Sequence, residues 1–288
     1  MTSEFGRGLK RDTPERVSHR LGGHLHPEVA KALAAGPVGR ADLSAFRTPS
    51  RLRQRYTSTC HAHSRAAGLY TAWKADGRPL AFVPSPLMIA ACTYADRRSG
   101  AVTDPNNVPV LRDDGAELQE SSDATVTWGI APMLPFANAY TDVPNGTADP
   151  AAVFPEPDYQ KLEIGGENLQ APEYLVTPNQ DAPLVLCAYL DLKIPSQTGG
   201  PVGPAYEALG KGQIAMPEPD GEGHAQVCDG YDTMTDDERR VFGSTGQFKF
   251  TICNSWGAEW CDDGIGWASE EWIRSQWSFF PFTLPKAA

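Results

Sequence analysis

The sequence predicts an α+β protein with two lobes. Apolar positions recur at helical spacing in the first half of the chain, in segments 60–74, 86–94 and 115–129. Short β-like segments follow in the second half, at 184–190, 224–231 and 247–253. Helices followed by strands are typical of this fold class, and 288 residues are ample to bury a core.

Glycine, proline and charged residues predict one further helix and two loop segments. A first helix begins at Pro27, where a first-turn proline is tolerated, and ends at Gly36. Residues 141–183 are rich in Pro, Asn, Asp and Gly and predict a long irregular connection. The acidic-then-basic run 235–240 predicts the tip of a surface hairpin.

Charge and composition limit the partners that this chain can have. The formal net charge of −11 disfavours nucleic acid and anionic membranes, because both favour a basic face. The basic run 51–55 is interpreted as a solvated loop. Residues 1–20 contain no apolar stretch of the signal-peptide kind, and no stretch approaches the length of a membrane span. We therefore expect no nucleic-acid partner, no membrane partner and a cytoplasmic location.

Cysteine and histidine placement gives no support for a metal or a disulfide framework. The six cysteines are spread along the chain without a C-x-x-C pair, which predicts reduced thiols. His24 and His26 form half of a metal site, but no Cys or carboxylate cluster completes it. His61 and His63 closely follow Cys60, and we interpret them as polar wall residues rather than ligands. We expect neither a metal nor a cofactor.

Cys60 is placed as a nucleophile would be. It stands at the start of the predicted central helix, after hydroxyl residues 57–59, any of which is able to cap the helix. A helix N-terminus and a neighbouring imidazolium both stabilise a thiolate. The backbone N–H of Cys60 would donate to a developing oxyanion, and the side-chain amide of Gln54 is suited to be the second donor. The structural alternative is that Cys60 is a small buried hydrophobe.

His224 and Asn254 supply the other groups that a cysteine nucleophile needs. Gly223 would let a substrate backbone approach closely, and His224 would act as general base and then general acid. Asn254 would accept a hydrogen bond from the His224 ring and fix its tautomer. Trp256 would cover that bond and exclude water. Taken singly, a histidine at a strand edge is more often structural.

The chain resembles the papain family of cysteine peptidases in three sequence blocks. These are Q-x5-C at 54–60, G-H-A-x4-G-Y at 223–231 and N-S-W-G-x2-W-x3-G at 254–264. The loop 113–116 also resembles the family's glycine-bearing loop, which implies that Gly115 binds substrate backbone. The resemblance implies a papain-like two-lobe fold, with the active-site cleft between the helical and β-barrel-like lobes.

The resemblance also implies domain boundaries. It places an N-terminal extension at 1–40, a peptidase domain at 41–275 and a C-terminal tail at 276–288. Within the peptidase domain, the helical lobe covers about 55–140 and the β lobe about 184–275.

Several positions depart from the family's usual pattern. His61 stands where an aromatic residue is usual, Thr57 where a disulfide cysteine is frequent, and Cys261 where glycine is usual. From the number of residues before Cys60, we expect that the family's inhibitory prodomain is absent. These features resemble the bacterial and phage branch of the family, which makes a virion-associated location the alternative to a cytoplasmic one.

Two functions of different classes are compatible with this sequence. The first is a cysteine peptidase that hydrolyses peptide or amide bonds through a Cys-His-Asn thioester mechanism, with a peptide or protein substrate. The alternative is a papain-fold structural or binding subunit of a larger protein assembly such as a phage particle, with an idle or secondary site. Transfer of the acyl group to an amine instead of water also stays open.

Overall fold

The computed structural model describes residues 8–11, 27–49, 52–54, 57–78, 82–96, 115–130, 132–133, 175–176 and 181–284. The predicted irregular connection at 141–183 lies almost entirely outside these ranges. His24, His26 and residues 113–114 of the glycine-bearing loop lie outside them as well.

Helices of the described residues dominate the first half of the chain, and strands dominate the second. The helices are α1 (Pro27–Ala35), α2 (Cys60–Ala75), α3 (Pro86–Asp96), α4 (Leu118–Trp128), α5 (Ala182–Asp191), α6 (Pro204–Glu207), α7 (Asp236–Phe242) and α8 (Glu270–Ser275). The strands are β1 (Arg40–Asp42), β2 (Leu175–Val176), β3 (Ser196–Val202), β4 (Ile214–Ala215), β5 (Glu222–Thr233), β6 (Phe248–Cys253), β7 (Ile265–Ser269) and β8 (Ser278–Pro281). The predicted α+β class is confirmed.

The strands form one sheet in the order β2-β8-β3-β5-β6-β7-β4, and β1 pairs with β5. Neighbouring strands are antiparallel except for the parallel pair of β4 and β7. In the part of the chain that the structure describes, the sheet is open rather than barrel-like. Its two end strands, β2 and β4, have two residues each, too short to pair along their length and close a barrel.

Helix α2 is the centre of the helical lobe. Nearly all of its residues are buried, as expected of a helix that packs against neighbours on every side. Its small residues allow this close packing: a Cβ at Gly68 would lie 2.0 Å from the ring of Phe282. Two residues of α2, Ala62 and Leu69, share an apolar cluster with Ile89 of α3.

The prediction of a strand at 184–190 is wrong, because this segment belongs to helix α5. Its run of apolar residues is buried on most sides, and a run of this kind does not distinguish a buried helix from a buried strand by periodicity. Pro183 in the first turn is the local sign of a helix start. The predicted helices and the strands at 224–231 and 247–253 are confirmed as elements.

The prediction of a hairpin tip at 235–240 is also wrong, because the run forms helix α7. The Thr235 hydroxyl accepts from the Glu238 N–H, and the Glu238 carboxylate accepts from the Thr235 N–H. This reciprocal pattern is a capping box. Gly243 ends the helix with a φ of 68°, the left-handed conformation that glycine adopts easily.

Strand β8 belongs to the sheet, although it lies in the segment predicted as a C-terminal tail. It pairs with β3 from Ser196↔Pro281 to Gly199↔Ser278 and with β2 on its other side. Residues 278–281 are therefore part of the β lobe. Among the described residues, no helix is long and apolar enough to cross a membrane.

Candidate active site

Cys60 is the first residue of α2 and is fully buried. Thr59, one of the three candidate capping residues, occupies the N-cap position, but its side chain makes no capping hydrogen bond. Instead, the Thr59 carbonyl oxygen accepts from the N–H groups of Ala62 and His63, each at 3.0 Å. The thiol therefore stands at the positive end of a long buried helix, where the helix dipole favours a negative charge.

The side chain of Gln197 on β3 forms hydrogen bonds that connect the start of α2 to the β lobe. Its side-chain nitrogen donates to the carbonyl oxygen of His61 and to the hydroxyl of Ser64, both at 2.7 Å. The Ser64 hydroxyl in turn donates to the Cys60 carbonyl oxygen at 2.8 Å. Because these groups are buried, the contact fixes the first turn of α2 against the sheet.

Gln54 is fully buried, and both the nitrogen and the oxygen of its side-chain amide form hydrogen bonds. Its nitrogen Nε2 donates to the Thr57 carbonyl oxygen at 2.9 Å, and its oxygen Oε1 accepts from the Ser255 hydroxyl. The Gln54 backbone N–H also donates to the Ser255 carbonyl oxygen at 2.8 Å. The Gln54 side chain is therefore held in one orientation beside the start of α2.

His224 lies on β5 and contacts Asn254, which follows β6. The His224 nitrogen Nε2 lies 2.8 Å from the Asn254 oxygen Oδ1. The Ser255 backbone N–H donates to the same oxygen at 2.7 Å. The Asn254 oxygen Oδ1 is an amide oxygen and can only accept hydrogen bonds. The His224 nitrogen Nε2 must therefore be the donor, so Nε2 carries the proton when the His224 ring is neutral.

Trp256 covers the His224 ring, as the sequence leads us to expect. The two rings stack with centroids 4.4 Å apart and an interplanar angle of 25°. Trp256 is itself buried and has Tyr206 and Trp260 against its edges. This aromatic group keeps water away from the His224–Asn254 hydrogen bond, which strengthens it.

Helix α2, which begins at Cys60, packs against strand β5, which carries His224. Cys60 shares a buried apolar cluster with Ala225, the residue that follows His224. Leu118 at the start of α4 and Phe280 on β8 complete the described cluster, together with Leu9. The structure therefore brings the Cys60 helix start and the His224 strand together at the boundary between the lobes.

Gly115 of the helical lobe and Gly223 of the β lobe are the two glycines predicted to bind substrate. Both contact the N-terminal residues Gly8 and Leu9 of the same chain. A Cβ at Gly115 would lie 1.7 Å from the carbonyl oxygen of Gly8. A Cβ at Gly223 would lie 2.1 Å from the carbonyl oxygen of Leu9. A foreign backbone is able to come this close only where no side chain intervenes.

His61 and His63 are buried in the helical lobe and are not the polar wall residues that we predict from the sequence. The His61 nitrogen Nε2 lies 3.3 Å from the Tyr94 hydroxyl. The His63 nitrogen Nδ1 lies 2.9 Å from the Thr59 carbonyl oxygen. Burial lowers the pKa of His63 to about 4, against the opposing effect of that hydrogen bond. Within the described ranges, no group of His, Cys, Asp and Glu side chains is placed to hold a metal ion.

Sequence reasoning misses three residues that support the site. Ser255 anchors Gln54, and its place inside the Asn-Ser-Trp-Gly block is a signal that could have found it. Gln197 anchors α2, but nothing in its local sequence distinguishes it. Asp229, fully buried on β5, forms a two-point ion pair with Arg47. Burial alone would lower the pKa of Arg47, but the bond to Asp229 raises it.

Comparison with solved structures shows that the fold is papain-like. Xylellain, a cysteine protease from Xylella fastidiosa, matches with a TM-score of 0.67 at 21% identity, over 98% of this chain and 98% of that one. Digestive procathepsin L2 from Tenebrio molitor matches with a TM-score of 0.61 at 15% identity, over 97% and 79%. Procathepsin B from Trypanosoma congolense matches with a TM-score of 0.61 at 15% identity, over 96% and 87%.

No family model and no curated protein sequence matches this chain. The low identities to the solved structures establish the shared fold. The activity has to be argued from the site itself.

Proposed function

We propose that this protein is a cysteine peptidase that hydrolyses peptide bonds through a thioester on Cys60. The main support is the covered hydrogen bond of 2.8 Å between His224 and Asn254, on the strand that packs against the start of the Cys60 helix. The cysteine proteases among the solved structures with this fold add weight to the proposal.

The first half of the reaction forms the thioester. With Nε2 held by Asn254, His224 exchanges protons through Nδ1 and takes the proton of the Cys60 thiol. The thiolate sulfur attacks the carbonyl carbon of the substrate, and a sulfur–carbon bond forms. The carbon–nitrogen bond then breaks, and the amine leaves with the proton that His224 held.

The second half hydrolyses the thioester. His224 removes a proton from a water molecule, whose oxygen attacks the thioester carbon. The sulfur–carbon bond breaks, the acid product leaves, and the proton on His224 returns to the Cys60 sulfur. In both halves, negative charge on the carbonyl oxygen is stabilised by the Cys60 backbone N–H and the side-chain amide of Gln54.

The proposal is tested by incubating the protein with a pooled library of peptide amides and identifying products and acyl-enzyme by mass spectrometry. Wild type is expected to release amines and to carry an acyl group on the peptide that contains Cys60. Cys60→Ser is expected to lose turnover while keeping the fold, because a hydroxyl has a much higher pKa than a thiol.

Cys261→Ser is the matched control, because this partly exposed cysteine donates to the Gly210 carbonyl oxygen and lies apart from the triad. It is expected to retain turnover. A folded wild type that acylates no residue and cleaves no peptide would contradict the proposal and favour a subunit of a larger assembly.

A further inference from the structure

A cavity of about 480 Å³ lies between the segment that follows β1 and the loop that follows Asn254. Its lining contains none of the residues proposed for the reaction, and its volume is that of a small-molecule site. Four of the side chains that line it are charged, two of each sign: Arg47, Arg53, Glu259 and Asp263. These four groups decide what the cavity is able to bind.

Arg47 is fixed at the cavity by a buried partner. Its nitrogens Nε and Nη2 both donate to the Asp229 carboxylate, and Nη2 lies 2.8 Å from Oδ1. The Asp229 side chain is 0% exposed and that of Arg47 is 12% exposed. A guanidinium has five N–H donors, so this pair leaves donors of Arg47 for a ligand in the cavity. A buried two-point pair also holds the guanidinium in one orientation.

Arg53 and Glu259 form an ion pair that is open to solvent. Their side chains are 55% and 44% exposed. An ion pair this exposed contributes little to stability, so each partner is able to turn to a ligand at small cost. A Cβ at Gly257 would lie 2.5 Å from the Glu259 oxygen Oε2. Glycine at position 257 therefore leaves the space that the Glu259 carboxylate occupies.

The loop 257–263, which forms one wall of the cavity, has a strained backbone. Cys261 has a φ of 51° and Asp263 a φ of 54°, in the left-handed region that residues other than glycine adopt at a cost. Backbone of this kind is concentrated at functional sites and at ligand-binding sites. The strain holds Asp263 at the cavity, opposite the arginines of the other wall.

The loop is also joined to the proposed active site at both of its ends. It begins directly after Trp256, which covers the His224 ring and pairs with Arg53 in an isolated β-bridge. It ends before Gly264, whose carbonyl oxygen accepts from the Asn254 N–H at 2.9 Å. The cavity is therefore built on the chain segments that orient His224.

Charges of both signs in one cavity select the class of ligand. A ligand with a single charge would be attracted to two of the four side chains and repelled by the other two. A ligand that carries an ammonium group and a carboxylate is complementary to both pairs.

We propose that this cavity binds a zwitterionic amino acid or short peptide. The ligand carboxylate would lie at Arg47 and Arg53, and its ammonium group at Glu259 and Asp263. Hydrolysis of peptide bonds releases compounds of this class, so the identification of the ligand as a reaction product rests on the function proposed above. The binding site itself does not depend on that function.

The test measures binding by isothermal titration calorimetry to the full chain with Cys60→Ser, which is unable to turn the ligand over. The probes are glycylglycine, N-acetylglycylglycine, which lacks the ammonium group, and glycylglycinamide, which lacks the carboxylate. We expect glycylglycine to bind at least about tenfold more tightly than either blocked dipeptide, because each blocked group loses a hydrogen-bonded charge.

Two further substitutions locate the binding in the cavity. Arg53→Gln should abolish the preference over glycylglycinamide, and Glu259→Gln should abolish the preference over N-acetylglycylglycine. Arg240→Gln is the matched control, because it removes an arginine from an exposed ion pair with Asp237 on α7. It should leave all three dissociation constants unchanged. Absence of glycylglycine binding, equal affinity for the three probes, or unchanged preferences in both cavity variants would overturn the proposal.

The experiment separates this inference from the peptidase function. Charge-selective binding of glycylglycine, together with a wild type that hydrolyses no peptide, would support the cavity as a binding site and contradict the peptidase. Peptide hydrolysis by wild type without glycylglycine binding would support the peptidase and overturn the binding site.

Discussion

At the scale of single residues, the Asn254 oxygen holds the Nε2 nitrogen of His224. Because it accepts from both the ring and the Ser255 N–H, the ring is held in one tautomer. The stacked Trp256 ring then keeps water from competing for that hydrogen bond. The proposed base is thus oriented by Asn254, whose oxygen is itself held by the Ser255 N–H.

Asn254→Ala removes the group that holds this tautomer. We expect kcat/KM for a peptide amide to fall by about 10²- to 10⁴-fold, the range of a general acid–base contribution. Arg240→Ala, an exposed change on α7, is the control and should leave kcat/KM unchanged. An Asn254→Ala protein with wild-type kcat/KM would show that His224 needs no such partner.

Gln54→Leu removes the proposed second donor to the oxyanion. We expect kcat to fall by about 10²- to 10³-fold with little change in KM, because the hydrogen bond forms only as charge develops. Ser255→Ala, which frees the Gln54 oxygen from its anchor, should change kcat in the same direction but less. Steady-state kinetics separate the two constants, and a change confined to KM would contradict the role of Gln54.

At the scale of elements, sequence patterns predict well where a local signal decides the structure. Helix α2 follows from regular apolar spacing, and β6 follows from its aromatic and β-branched residues. Helix α5 could not be separated from a strand, because its environment in the core decides between the two. Helix α7 was predictable, since Thr235 and Glu238 have capping-box spacing.

The same holds for the site: residues in recognisable sequence blocks could be predicted, and residues placed only by the tertiary fold could not. Gln54, Cys60, His224 and Asn254 lie in sequence blocks whose spacing identifies them. Leu9 has no such signal, because it is one apolar residue among charged neighbours and its partners lie far away along the chain. Contacts of this kind depend on the tertiary fold, which no local pattern reports.

Thr235→Ala tests how much the α7 capping box contributes. We expect the free energy of unfolding to fall by about 1 kcal/mol, the usual effect of losing an N-cap side chain. Urea denaturation measures this change. Val241→Ala on the same helix is the control, because Val241 is exposed and should have little effect. Equal stability of Thr235→Ala and wild type would mean that the cap contributes nothing.

At the scale of the whole molecule, His63 couples stability to pH. Its pKa is about 4 in the fold, against a reference value of 6.5. Between these values the unfolded chain binds the proton and the folded chain does not, so stability falls as the pH is lowered from about 6.5 to about 4. The loss that this one residue can cause is about 3 kcal/mol.

His63→Leu is expected to flatten the dependence of unfolding free energy on pH in this window. Urea denaturation at several pH values measures the slope. Glu271 acts at lower pH: burial opposes its ionisation, but hydrogen bonds from Ser244 and Thr245 lower its pKa to about 2. The stabilisation that ionised Glu271 provides is therefore lost only as the pH falls below the reference pKa of 4.5. Glu271→Gln should consequently leave the slope of unfolding free energy against pH unchanged above pH 4.5. An unchanged slope in His63→Leu would contradict the role of His63.

The central claim is that one of six thiols is a nucleophile and the others are structural. Burial raises the pKa of Cys187, Cys228 and Cys261, so these thiols should react slowly below neutral pH. All six cysteines lie in the described part of the chain, and none of them forms a disulfide.

Alkylation by iodoacetamide at about pH 6, mapped by mass spectrometry, tests this claim most directly. In the wild-type protein, Cys60 should be labelled well before the other cysteines. The change His224→Ala should abolish that preference, because it removes the imidazolium that favours the thiolate. Equal labelling of several cysteines, or a Cys60 preference that survives the loss of His224, would contradict the account.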